Sequence, residues 1–457
     1  MSNHFIPHLI TAEKTEKNIL IEVDNQGIIQ SKRSEVDRNT LDDISHRISD
    51  DFIAIPGMVN AHSHAFQRLL RGPTQYRGPQ EDSFWTWRKV MYAFLRQLSP
   101  DDIYTVTKHI YLEMIASGIT HVGEFHYVHH QPDGSPYPDT IQTSRAVIAA
   151  AKDAGLRLTL LRTVYMRGDF DAVPEPQQLR FIDSDLIPVF RDIDALLELE
   201  NNQVSVGVAP HSVRTVSPEA LRELKSRYAH LPFHIHVSEQ PRENEGCLKH
   251  YGVTPISLLE KYNCLDPKTV LVHATHVSEE DIQKVSAHEA QVCFCPSTEA
   301  DLGDGIGPTR EYLKHNVSLS LGTDGQTFSS LLEEARRLEM HERLRLGLRN
   351  ALAPKASISS GDVCLRIATS GGQLALGKPE DCLEIGQPLD FFTVNRNDPY
   401  IAGVTEDDLL NALIFSLPSS HIESTIVAGR EVFNRHKSNQ LEESATKLQD
   451  LRAKLTL

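Results

Sequence analysis

Two histidines stand two residues apart in Ala61-His62-Ser63-His64, shortly after an apolar run that ends in Pro56-Gly57. Side chains alternate faces along a strand, so both imidazoles point to the same side of the chain, where one ion can take both. In a chain with 22 histidines such a pair also fits a polar turn. Two other places sharpen the signal: His234-Ile235-His236-Val237-Ser238-Glu239 follows a second apolar run, and Leu321-Gly322-Thr323-Asp324-Gly325 ends a third. A histidine of the second run and a carboxylate of the third, with the His-x-His pair, would offer three nitrogens and one oxygen, a donor set that suits Zn2+, with Fe2+ as the alternative. His234 is a rival ligand, but two residues earlier on the same strand it sits deeper and suits packing or support. His121, His126, His129 and His130 have no carboxylate in register and read as loop and supporting residues. A divalent ion brings the pKa of its water from about 15.7 toward about 7, so hydroxide is available to attack an sp2 carbon. Glu239, three residues after His236, is placed to carry a proton from that water to a leaving nitrogen.

Such donors need strands that end at one place. Between about Pro56 and Gly377, short apolar stretches alternate with helix-length segments, the pattern of a βα array with a parallel sheet. The stretch before His62, with Ile119–Gly123, Leu156–Arg162, Gln203–Val208, Pro232–Val237, Thr269–His273, Ala290–Cys295 and Val317–Gly322, makes eight strands, the number that closes a (β/α)8 TIM-like barrel. The catalytic barrel is expected over 56–384. Asn18 to Arg33 reads as a hairpin turning at Asp24-Asn25-Gln26-Gly27, and strand-like pieces recur at Leu389–Val394 and Ser424–Gly429. Residues 1–55 and 385–457 are therefore assigned to one small discontinuous β-sandwich domain. Lys447 to Leu457 reads as a short exposed helix.

Composition narrows the function classes. Of 457 residues, 62 are Asp or Glu and 46 Lys or Arg, and the net charge of −16 opposes binding to nucleic acid or an acidic membrane surface. An anionic substrate must then be captured by local basic groups. Six cysteines without dense spacing suggest neither a disulfide framework nor a thiolate zinc site, and no stretch has the length and apolarity of a membrane span. The cytoplasm is the expected compartment.

The stretches Asn60 to Gln67, His236-x-x-Glu239, Leu271-Val272-His273 and Gly322-Thr323-Asp324 are similar to motifs of the amidohydrolase superfamily, over nearly the whole chain. The resemblance implies that His62, His64, His236 and Asp324 bind metal and that His273 orients the attacking water. It also implies that Asp324 takes a water proton, with His276 the nearest decoy for His273. No lysine ends the fourth candidate strand, Val204 to His211, where two-metal members carry one, so one divalent ion per subunit is expected.

Gln67, Asp82 to Tyr92, Glu124 to Tyr127, Ala209 to Arg214, His273 to His276 and Cys295 to Gly305 resemble the formimidoylglutamate deiminases within that superfamily. This implies hydrolysis of N-formimino-L-glutamate to N-formyl-L-glutamate and ammonia in histidine degradation, by a homodimer. Catalysis falls to Glu239, His273 and Asp324, and Gln67, Arg88, Tyr127, His211 and Arg214 contact a small dianionic amidine. Two carboxylates call for guanidinium partners, which Arg88 and Arg214 supply. The Asp82 to Tyr92 segment, with both tryptophans, walls the site or packs as a core helix. Asp301 stands where the family pattern has Asn, and Gly307 where it has a bulky apolar residue. Two other readings stay open: an amidohydrolase that deaminates guanine, cytosine or an adenosine-like nucleoside, and a non-catalytic binding homologue that keeps the barrel.

Overall fold

The computed structural model describes residues 1–37, 44–77 and 83–455, apart from the side chain of Trp85. Asp82 and Leu457, named above, lie outside the described residues. The barrel strands are β1 (Met58–Ser63), β2 (Ile119–His126), β3 (Arg157–Val164), β4 (Val204–Pro210), β5 (Phe233–Val237), β6 (Thr269–His273), β7 (Gln291–Phe294) and β8 (Leu319–Leu321). They pair in sequence order, and a parallel bridge between Ser63 and Asp324 brings the end of β8 back to β1. Every residue of β2 and β3 is buried, as parallel strands covered on both faces must be. The barrel interior beneath the site is small and apolar, with Ala61, Val270, Val272, Cys293, Cys295 and Ala375 in one cluster.

Asn60 latches the two ends of the barrel together. Its Nδ2 donates to Thr323 Oγ1 at 2.8 Å, and its Oδ1 accepts the Thr323 backbone N–H at 3.1 Å. The Asp324 N–H then donates to His62 O and the His64 N–H to Asp324 O, so first-strand and last-strand donors share one backbone framework.

Among the helices, α1 (Phe84–Leu95) follows the first metal motif, and α2 (Pro100–Ala116) starts at a Ser99–Asp102 capping box with Pro100 in its first turn. Helix α3 (Pro241–Tyr251) follows β5, α4 (Leu331–Leu346) follows β8, and α5 (Gln440–Lys454) ends the chain. Helix α5 corrects the expectation of a short exposed helix. It starts earlier, buries Ser444, Leu448 and Leu451, and packs on α2, where His109 Nδ1 lies 3.2 Å from Ser444 Oγ.

Terminal strands build a second sheet, which realises the expected β domain as one continuous hydrogen-bonded sheet. Its path runs Arg430–Asn434, Ile422–Val427, Phe391–Asn395, Phe52–Pro56, Ser2–Ile10, Thr15–Val23 and Ile29–Arg33, with His46–Arg47 also against Ser2–Ile10. The hairpin turns where expected: Asp24 Oδ1 accepts the N–H groups of Gln26 and Ile28, and Gly27 takes φ +80°. Strand Ser2–Ile10, which sequence reasoning missed, lies inside this sheet.

Candidate metal centre and active site

Four donors expected from sequence meet at the C-terminal ends of β1, β5 and β8. One ligand atom each from His62, His64, His236 and Asp324 lies within 4.8 Å of the others, and all four residues are buried. Asp324 Oδ1 is 3.3 Å from Nε2 of both His62 and His64, and His236 Nε2 is 3.1 Å from His62 Nε2. Tetrahedral zinc with bonds of about 2.0 to 2.1 Å sets neighbouring donors roughly 3.3 Å apart, so these separations fit a divalent ion without rearrangement. The far nitrogens agree: His64 Nδ1 lies 2.8 Å from Phe125 O and His236 Nδ1 3.0 Å from His211 O. Donation to those carbonyls leaves each Nε2 lone pair facing the ion. His62 Nδ1 has no such partner, and that ring packs against Gly322, where an added Cβ would lie 2.7 Å from the His62 Cβ.

Burial lowers the pKa of His62 to about 3 and lowers those of His64 and His236, so all three imidazoles are neutral, the form that binds metal. Burial acts the other way on Asp324, but the His62 hydrogen bond and the surrounding imidazoles outweigh it and hold the carboxylate ionised.

Beside these donors lie His273 and Glu239. His273 Nε2 is 3.6 Å from Glu239 Oε1 and 3.8 Å from Asp324 Oδ2, while its Nδ1 is 3.2 Å from Glu299 Oε1. Burial lowers the His273 pKa, but Glu239, Glu299 and Asp324 outweigh burial and raise it well above the ordinary histidine range. Burial pushes Glu239 up as well, so this acid-rich cluster holds protons tightly and presents the negative charge that a divalent ion neutralises. Positive φ values at Ser238, His273, Ala274 and Asp324 show backbone strain collected at these strand ends.

Above the floor opens a small cavity. Gln67, Arg88, Tyr127, His211 and Arg214 all line it, as do Glu239, His273 and Asp324. Helix α1 presents Phe84, Trp87, Arg88, Met91 and Tyr92 to it, the i, i+3, i+4, i+7, i+8 face of one helix. The aromatic segment is thus both a helix and a wall.

The sequence model of the amidohydrolase family matches residues 53–432. The chain belongs to the amidohydrolase family. It is 35% identical over 436 residues to formimidoylglutamate deiminase of Pseudomonas aeruginosa, covering 94% of each chain. A 5-methylthioadenosine/S-adenosylhomocysteine deaminase of Natronomonas pharaonis is 26% identical over 397 residues, 86% of this chain and 84% of the other. The crystal structure of an amidohydrolase from Brucella melitensis superposes with a TM-score of 0.91 at 32% identity, covering 100% of both chains. The protein is a hydrolase acting on C–N bonds.

Other histidines of this amidohydrolase have structural partners. His234 Nε2 lies 2.8 Å from Ala375 O, deep in the barrel, and His276 Nε2 lies 2.7 Å from Asp304 O. His121, His126 and His129 lie 3.0 to 3.1 Å from Thr159 Oγ1, Thr143 Oγ1 and Thr163 O. Sequence reasoning gave no role to three buried acids near the site: Glu299 behind His273, Glu243 with Oε1 4.0 Å from Arg214 Nε, and Asp304, whose carboxyl burial pushes up to about 9. Tyr165 and Phe181 were also missed as cavity walls. The two departures from the family pattern have local reasons. Asp301 Oδ1 accepts Gln75 Nε2 at 2.6 Å, and a Cβ at Gly307 would lie 2.4 Å from the Phe294 ring.

Proposed function

We propose that this protein is a metal-dependent deiminase that hydrolyses N-formimino-L-glutamate to N-formyl-L-glutamate and ammonia, a step of histidine degradation. One observation carries the reading: two guanidinium groups, Arg88 and Arg214, line the same cavity as the three-histidine, one-aspartate floor. The substrate has two carboxylates at one end and an amidine at the other, and these two kinds of partner answer its two kinds of group. The likeness to the Pseudomonas deiminase supports the same substrate.

Arg214 is buried, and among the described residues its ion pair is the long one to Glu243, which leaves its fork directed to an incoming carboxylate. Tyr127 and His211 stand beside it, and His211 is neutral because burial and then Arg214 lower its pKa. Gln67 Oε1 is a buried acceptor without a hydrogen-bond partner and suits an N–H of the substrate. A divalent ion on His62, His64, His236 and Asp324, Zn2+ first and Fe2+ second, supplies a nucleophilic water near neutral pH. Water adds to the formimino carbon and its C–N bond to the terminal nitrogen breaks. Glu239 carries a proton to that nitrogen so that it leaves as ammonia, and His273 and Asp324 hold the charge that builds beside it.

We assign the protein to the cytoplasm as a homodimer. Six cysteines without a disulfide among the described residues fit a reducing compartment. The dimer rests on family resemblance, and sedimentation of the purified protein tests it. No helix among the described residues is long and apolar enough to cross a membrane.

A ring deaminase is the second reading, favoured by the aromatic walls Phe84, Trp87, Tyr92, Tyr165 and Phe181, which can stack a base. Ammonia release by metal-replete protein from N-formimino-L-glutamate, N-formimino-L-aspartate, guanine and cytosine, measured side by side, separates the two. The highest kcat/KM is expected for the first compound, and faster turnover of a nucleobase would overturn the assignment.

A further inference from the structure

Asp324 divides its two oxygens between two groups of donors. Oδ1 faces the Nε2 atoms of His62 and His64, and Oδ2 faces His273 Nε2. On that second side, one ligand atom each from His273, Cys295 and Asp324 lies within 4.8 Å of the others, and all three residues are buried. His273 Nε2 is a buried nitrogen with no hydrogen-bond partner. Its opposite nitrogen is held by Glu299, the carboxylate–imidazole arrangement that aims a ring at a metal ion. The same Glu299 oxygen accepts the Cys295 backbone N–H at 2.8 Å, so one carboxylate aligns both the imidazole and the thiol. Glu239 Oε1 stands 3.6 Å from His273 Nε2, beside this group of three donors.

We infer that His273, Cys295 and Asp324 form a second, inhibitory site for a thiophilic divalent ion such as Zn2+, with Asp324 bridging it to the first ion. The inference rests on the metal centre proposed above. One nitrogen, one sulfur and one carboxylate oxygen, with a fourth position open to water, make a soft-leaning set that selects zinc or cobalt over magnesium. Binding releases to solvent the Cys295 thiol proton and the protons that His273 and Glu239 hold, and forms the metal–sulfur and metal–nitrogen bonds, with no change of oxidation state. An ion there engages His273 beside Glu239 and fills the space toward Asp324, which the substrate must enter. It therefore inhibits instead of assisting. Cys295 otherwise lies in the apolar barrel interior with Ala61 and Val270 and takes no part in the proposed reaction.

Cobalt makes the two sites distinguishable, because a thiolate ligand gives Co2+ a near-ultraviolet charge-transfer band and an all-nitrogen-and-oxygen site does not. Chelated protein is titrated with Co2+ while the spectrum and ammonia release from N-formimino-L-glutamate are followed together. Activity is expected to rise up to one ion per chain without the band. Between one and two ions the band grows and most of the activity is lost. Cys295→Ser is expected to keep the rise and to lose both the band and the inhibition, and Cys295→Ala serves as a second substitution. A second ion that binds without the band, or full activity with two ions bound, overturns the second site. If the first ion gives no activity, the metal centre itself is wrong. The unmutated protein's spectrum decides the question even if neither variant folds.

Discussion

In the proposed reaction Glu239 and Arg214 divide the work between proton transfer and anion capture, so their replacement has different signatures. Glu239→Gln keeps the shape and removes the proton carrier, and kcat is expected to fall by about 10² to 10⁴ with metal content unchanged, read by steady-state kinetics beside metal analysis. Arg214→Ala removes a charge-assisted partner worth roughly 1.5 to 3 kcal/mol, about ten- to a hundredfold in kcat/KM for N-formimino-L-glutamate. Undiminished turnover in that variant counts against carboxylate recognition there. At this scale the sequence was most legible where spacing repeats with strand period: His62 with His64, and His236 in preference to His234, whose ring meets Ala375 O. Glu243, Glu299 and Asp304 were not legible as site residues, because an isolated acid on a helix or loop has no spacing that announces its neighbours. Their roles come from approach in space, Glu299 to His273 and Glu243 to Arg214.

Strand ends and the helices after them fix those positions. Helix α4 is tied to the segment after β7 by Glu334, which accepts the Ser297 backbone N–H at 2.8 Å and the Ser297 hydroxyl. Burial, opposed by those bonds, pushes the Glu334 carboxyl up to about 8. The folded chain then holds this proton more tightly than the unfolded chain, so its stabilising contribution is full below the ordinary carboxylate pKa and is lost as pH rises toward 8. Glu334→Gln is expected to flatten the Tm profile between about pH 5 and about pH 8, and an unchanged slope would show that this carboxyl is ionised in the fold. Barrel strands were readable because each is a short apolar run bounded by turn residues, and β6 keeps its expected limits. Strand Ser2–Ile10 was not, since Pro7 and polar Asn3, His4 and His8 break its alternation. Helix α1 was ambiguous for a physical reason: the face that packs like a core helix is the one that walls the cavity.

Across the whole molecule, a chain of net charge −16 gathers Arg88 and Arg214 around one cavity, so the anion capture proposed above would be local. Alternation of strands and helices made the barrel legible, and the terminal β pieces did the same for the second sheet. The proposed homodimer rests on resemblance alone, because an interface leaves no periodic trace in a single chain. A metal bound at the proposed centre would join β1, β5 and β8 and so stabilise the fold. Chelation is expected to lower Tm, and one equivalent of Zn2+ to restore it, because an ion bound at a hundred times its Kd contributes about 2.7 kcal/mol. The most direct test of the central claim is ammonia release from N-formimino-L-glutamate as Zn2+ is added back to chelated protein. Release should grow in proportion to metal up to one ion per chain. Turnover that ignores the metal, or no ammonia at any point of the titration, would contradict the claim.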